Sequence, residues 1–183
     1  MDDIVSGFFS KSLAGIALDK GEVIYEQYQR GTEDNPYPAF SITKSVTSML
    51  IGYAYCKGHI KDLNDKASDY VPEIKGTIWG DATLVNLLKM KSGAPRQGLN
   101  EGGDYLLPNS SERAMLSGSN DVISLIHQNN RLQGKGSQDL SWTYSNFDTL
   151  TLGLVLEAAT QKKLTEFYKE TLWSDVKPEH PTY

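Results

Sequence analysis

Phe40-Ser41-Ile42-Thr43-Lys44-Ser45-Val46-Thr47-Ser48-Met49-Leu50-Ile51-Gly52-Tyr53 is the stretch that most restricts how this chain can fold. Its apolar residues Val46, Met49, Leu50, Tyr53 and Ala54 recur at helical spacing, which predicts a helix with one buried face. Gly58 is its expected stop. Ser41 stands at the start of that helix and Lys44 one turn further on. Residues three apart share a helix face, so the hydroxyl and the amine can meet. Free N–H groups at a helix N-terminus can also stabilise an oxyanion. A lysine desolvated in such a place loses its charge more readily and can serve as a base. Taken alone, the same residues fit a solvated capping serine better. A second serine-x-x-lysine, Ser174 to Lys177, lies just before Pro178 with no apolar helix after it and carries no such reading.

The flanking sequence predicts a partial antiparallel sheet and a mostly helical region. Leu13–Leu18 and Glu22–Tyr28 are short apolar runs separated by Asp19-Lys20-Gly21, a turn with glycine where positive φ is wanted, so they read as a hairpin. Residues 31–38 are loop. Beyond the helix that begins near Ser41 the chain reads as a turn at 60–65, a short helical piece at 67–71 and a helix over 81–90 ended by Ser92-Gly93. Asn120-Asp121 caps a helix through Val122, Ile123, Leu125 and Ile126. A further helix runs over 147–159 with Leu150, Leu154, Val155 and Ala158 on one face, and residues 167–173 continue helically. Residues 93–120 are rich in Gly, Ser, Asn and Pro, and a stretch of that kind forms either a site wall or a surface insertion. Gly134–Ser137 is a flexible loop.

Composition narrows the function classes. With 183 residues, a net charge of −5 and an isoelectric point near 5.2, the chain has no basic footprint for nucleic acid. No apolar run reaches the roughly eighteen residues a membrane span needs. Cys56 is alone, which excludes an intrachain disulfide and a thiolate metal site, and its place in the helix predicts a small core hydrophobe. His59, His127 and His180 are too scattered for a metal centre, and His59 reads as solvated at a helix end. No cofactor motif, phosphate-binding glycine loop or G-x-S-x-G elbow is present. Met1-Asp2-Asp3 is acidic where a signal peptide would be basic, so the chain as written reads as cytoplasmic, and a trimmed N-terminus would reopen that question.

Tyr144-Ser145-Asn146 adds a different element. A tyrosine at a loop-to-helix junction can sit beside Lys44, share its proton and return it to a leaving group. Asn146 can orient Lys44 or a substrate carbonyl. The alternative is a core tyrosine followed by an asparagine cap.

Together the two elements resemble the serine β-lactamase and penicillin-binding-protein superfamily. The resemblance is to its group of class C β-lactamases, D-alanyl-D-alanine carboxypeptidases and esterases, in which S-x-x-K is followed by Y-x-N. Residues 63–73 are similar to the family's stretch after the nucleophile helix, and Leu87-Leu88-Lys89-Met90-Lys91-Ser92-Gly93 to its "LLTHTSG" segment. Tyr144–Thr149, Leu152-Gly153 and Leu172-Trp173 look most like the branch of 6-aminohexanoate-dimer hydrolases.

The resemblance implies an α/β fold of the α+β type, β-lactamase/transpeptidase-like. It also implies a serine hydrolase that takes a small amide or ester substrate through an acyl-enzyme. Ser41 would be the nucleophile, Lys44 its base, Tyr144 the acid/base of the second proton transfer and Asn146 a substrate contact. The Ser41 N–H would form half of an oxyanion hole. The family's third motif, K-T-G or H-x-G on a later strand, has no match after Asn146, and Lys91-Ser92-Gly93 reads as a decoy that caps a helix. The expectation is therefore a single incomplete domain over 1–183: hairpin and loop to 40, nucleophile helix over 41–58, helical region over 59–183, with the C-terminal strands of the fold missing. The competing expectation is a non-catalytic homologue or ligand-binding fragment. Substrate choice and oligomeric state are not written in these residues.

Overall fold

The computed structural model describes residues 14–94, 121–133 and 141–178. The chain divides into two units, residues 1–41 with 178–183 and residues 42–177. The expected loops over 93–120 (from 95 onward) and 134–137 lie outside the described residues.

The first unit contains an antiparallel hairpin of β1 (Ala14–Asp19) and β2 (Glu22–Tyr28). Its two-residue turn places Lys20 at φ 50° and Gly21 at φ 88°, the left-handed pair that matches strand twist. The pairing runs from Asp19 opposite Glu22 to Ala14 opposite Tyr28, with a bulge at Ala17/Leu18. Ile16, Leu18, Val23 and Ile24 are each at least half exposed.

The second unit is helical. α1 (Ile42–Cys56) is followed by α2 (Ala67–Tyr70), a 3-10 turn (Pro72–Ile74) and α3 (Leu84–Leu88). Then come α4 (Val122–Gln133), α5 (Asn146–Thr160) and α6 (Leu164–Tyr168), which runs through a π turn (Lys169–Trp173) into α7 (Ser174–Val176). α5 is the central element, with α1, α2, α3 and α6 all packed on it. The core gathers Leu50, Ile51 and Ala54 of α1, Trp79, Leu84 and Leu87, Leu125 and Ile126 of α4, and Phe147, Val155 and Leu156 of α5. Among the described residues no helix is long and apolar enough to cross a membrane.

Several local expectations are corrected. The buried face of α1 is Thr47, Leu50, Ile51 and Ala54, and Met49 is 49% exposed. α1 carries apolar residues on more than one side, so its packing against α5 decides which side is buried. Cys56 is exposed, not core, because it lies two positions beyond Ala54 and so turns to the opposite side of the helix. α3 is shorter than the 81–90 pattern. Thr83 caps it by accepting from the Asn86 N–H at 3.3 Å, while Ala82 is tied back to Ala67 through its carbonyl. The helix stops at Leu88, before a left-handed Met90 at φ 56°, so Ser92-Gly93 is not its cap. In α5 the buried positions are Phe147, Asp148, Thr151, Leu152, Val155, Leu156 and Thr160, with Leu150, Leu154 and Ala158 at the margin. His59 is exposed but stands edge-on to Phe167 at 6.1 Å.

Candidate active site

Ser41 is the last residue of the first unit and immediately precedes α1, and Lys44 lies in that helix's first turn. Phe40, next to Ser41, has φ 43°. That left-handed conformation costs a bulky residue on the order of 1 kcal/mol and turns the chain sharply before the helix. Lys44 is half-buried. Its stem rises from a helix anchored one turn on by Thr47, Leu50 and Ile51 in the core.

Tyr144 belongs to an extended segment, residues 141–145, that leads into α5. Alternate residues of an extended chain point to opposite sides. Ser145 is fully buried and Thr143 half-buried, whereas Trp142 and Tyr144 are 64% and 41% exposed, with ring centroids 6.3 Å apart. Tyr144 is therefore not a core tyrosine. The Thr143 N–H donates to the Met90 carbonyl at 2.9 Å and holds the segment against the end of α3.

The fold brings Lys44 and Tyr144 together across a hundred residues of sequence: Lys44 Nζ stands 5.0 Å from the centre of the Tyr144 ring. The contact is with the ring face, where the sequence led us to expect the hydroxyl edge. A ring face attracts an ammonium by about 0.5–1 kcal/mol at exposed sites. Asn146 is the first residue of α5 and half-buried, and the cap is Ser145, whose Oγ accepts from the Asp148 N–H at 3.2 Å.

Beneath this segment lies a group that the motif reading missed. Asp148 is fully buried, and its Oδ1 accepts from Trp79 Nε1 at 3.1 Å and from Ser92 Oγ at 2.7 Å. Trp79 is itself fully buried against Phe147, ring centroids 4.9 Å apart. The decoy triplet thus has a definite role: Ser92 is a buried donor to Asp148. A signal was available in Ser145-x-x-Asp148, a serine cap with an acid three residues on. Nothing local announced Trp79 or Ser92. Among the described residues no cluster of His, Cys, Asp and Glu could hold a metal ion.

Burial pushes the Asp148 carboxyl up to about 6, against the opposing pull of hydrogen bonds from Ser92, Ser145 and Trp79. The folded state therefore holds a proton that the unfolded chain releases near pH 4, and stability falls as pH rises through about 6. In urea unfolding, wild type should lose about 2 kcal/mol relative to Asp148→Asn between pH 4 and pH 7. A difference that is flat or rises with pH would contradict the buried-carboxyl assignment.

Comparison with known proteins places the chain. The family model described as Beta-lactamase matches residues 3–183. A β-lactamase of Yersinia enterocolitica is 25% identical over 149 residues, 81% of this chain and 34% of its own length. Among solved structures, a Bacillus anthracis protein carrying the name of a 6-aminohexanoate-dimer hydrolase superposes with a TM-score of 0.69 at 23% identity, over 92% of this chain and 46% of that one. A D-alanine carboxypeptidase from Burkholderia cenocepacia superposes with a TM-score of 0.64 at 20% identity, over 87% and 41%. The chain spans about a third of that curated relative and under half of these two structures. With the family model matched over nearly its whole length, and a β-lactamase/transpeptidase-like fold shared with these structures, the chain belongs to the β-lactamase family.

Proposed function

We propose that this chain carries the nucleophile and proton-transfer residues of a serine hydrolase that cleaves an amide or ester through an acyl-enzyme. The apposition of Lys44 and Tyr144 is the observation that carries the reading. Two residues of the expected chemistry, distant in sequence, meet one turn beyond Ser41.

In the first step Ser41 Oγ bonds to the substrate carbonyl carbon while its proton passes to Lys44 Nζ. The carbonyl oxygen becomes an oxyanion, which the N–H of Ser41, the residue just before α1, would stabilise. Collapse re-forms the carbonyl and breaks the bond to the leaving nitrogen or oxygen. That atom takes a proton from Tyr144, which is recharged from Lys44. Water then attacks the Ser41 ester by the reverse relay and releases the acid. Asn146, two residues on, would hold a substrate carbonyl.

An amide or ester substrate is supported by the relatives' names, a β-lactamase, a 6-aminohexanoate-dimer hydrolase and a D-alanine carboxypeptidase. Fold alone does not choose among them. The test is labelling with a fluorophosphonate and, separately, a fluorescent penicillin, followed by peptide mapping. We expect modification at Ser41 and none in Ser41→Ala. Label on another residue, or label retained by that variant, would remove Ser41 as nucleophile. A chain that takes up neither probe would instead be a non-catalytic homologue.

A further inference from the structure

We propose that Asp148 is a positioning residue for this site: its buried carboxylate clamps the Tyr144-Ser145-Asn146 segment and so sets Tyr144 over Lys44. The inference rests on the catalytic reading of those two residues. Met90 and Ser92, two residues apart in the same connecting segment, grip the chain on both sides of Tyr144. Met90 accepts from the Thr143 N–H at 2.9 Å, and Ser92 donates to Asp148 at 2.7 Å. Trp79 adds a second donor to the same oxygen at 3.1 Å, and Ser145 closes the helix cap onto the Asp148 N–H at 3.2 Å. Trp79, Ser145 and Asp148 are fully buried and Ser92 is 2% exposed, so the clamp is rigid where Tyr144 itself is open to solvent.

Helix stability does not require this carboxylate. Ser145 already caps α5, and the buried carboxylate carries a desolvation cost of its own. Asp148 Oδ2 is buried with no hydrogen-bond partner, and the raised carboxyl titration is the mark of that cost. What the group supplies is direction. One atom, Oδ1, joins residues 79 and 92 to the start of α5 and fixes the register of the segment that presents the phenol.

The experiment is a pair of coupling cycles on the 183-residue chain. For the first, Tyr144 ring resonances are assigned with Tyr144→Phe, and their change on Lys44→Met is compared in wild-type and Asp148→Ala backgrounds. We expect that change to fall by at least about half in Asp148→Ala. An undiminished change overturns the proposal. For the second, fluorophosphonate labelling of Ser41 should slow about tenfold or more in Asp148→Ala, but change less than about twofold when Tyr144 is already phenylalanine. Equal slowing in both backgrounds means a general structural role and also overturns it. If wild type does not label, the catalytic reading fails while the resonance cycle still judges Asp148. Should Asp148→Ala not fold, Ser92→Ala and Trp79→Phe each delete one donor and carry the same comparisons.

Discussion

Lys44→Met should slow acylation of Ser41 by about a thousandfold or more, since it removes the group proposed to take the serine proton. Methionine keeps the unbranched stem and a comparable helix propensity, so α1 should form as before. The expected thermodynamic loss is small beside the rate effect, about 1 kcal/mol, because Lys44 is half-buried and lies outside the stripe that packs on α5. Rate and stability are thereby separated. Labelling kinetics report the first, and thermal unfolding followed by circular dichroism reports the second. A variant that labels within tenfold of wild type would mean that another group takes the proton. A variant that melts far below wild type would mean that Lys44 is a packing residue and would weaken its assignment as base.

Gly80→Ala should cost about 3 kcal/mol or more of stability, among the largest effects open to a single methyl group. A Cβ at position 80 would lie 1.9 Å from the Ile74 carbonyl oxygen and 2.7 Å from its carbon. Those atoms cannot yield easily. Ile74 is fully buried in the 3-10 turn, and its carbonyl accepts from the Thr77 hydroxyl at 2.7 Å and the Thr77 N–H at 3.2 Å. Gly80 is held on both sides as well, by its N–H to Thr77 Oγ1 at 2.9 Å and by its carbonyl to the Ser68 N–H at 2.9 Å. The neighbouring residue is Trp79, so relief of the clash would move the indole that donates to Asp148. Urea unfolding followed by tryptophan fluorescence measures the loss. A cost under about 1 kcal/mol would show that the 74–80 turn can open, and that the clash is not a real constraint.

The site and the fold were legible in the sequence to different degrees. The hairpin could be read because a two-residue turn between apolar runs is local, and Lys20-Gly21 adopts the left-handed pair it requires. The helix that carries Lys44 could be read because helix periodicity is local too. The buried side of α1 was read in part. Leu50 and Ala54 are buried as the spacing implied, and Val46 and Tyr53 pack at the edge of the core. Thr47 and Ile51 are buried where Met49 is not, because the packing of α5 makes the choice. Cys56 was misread for the same reason. Lys91-Ser92-Gly93 looked like a helix end when read alone, since the partner that gives Ser92 its role lies 56 residues away.

The sequence by itself determined the residue types available for chemistry and the helix that would present them, because spacing along a helix is set by backbone geometry within a few residues. It also carried the family, through motifs whose order survives in the linear chain. Tertiary structure alone decided that Lys44 would meet the face of Tyr144, and that Trp79, Ser92 and Asp148 would converge beneath it. Those contacts join segments tens of residues apart. They form only when burying apolar surface around α5 draws the segments together, and no local pattern encodes where that burial will place a side chain.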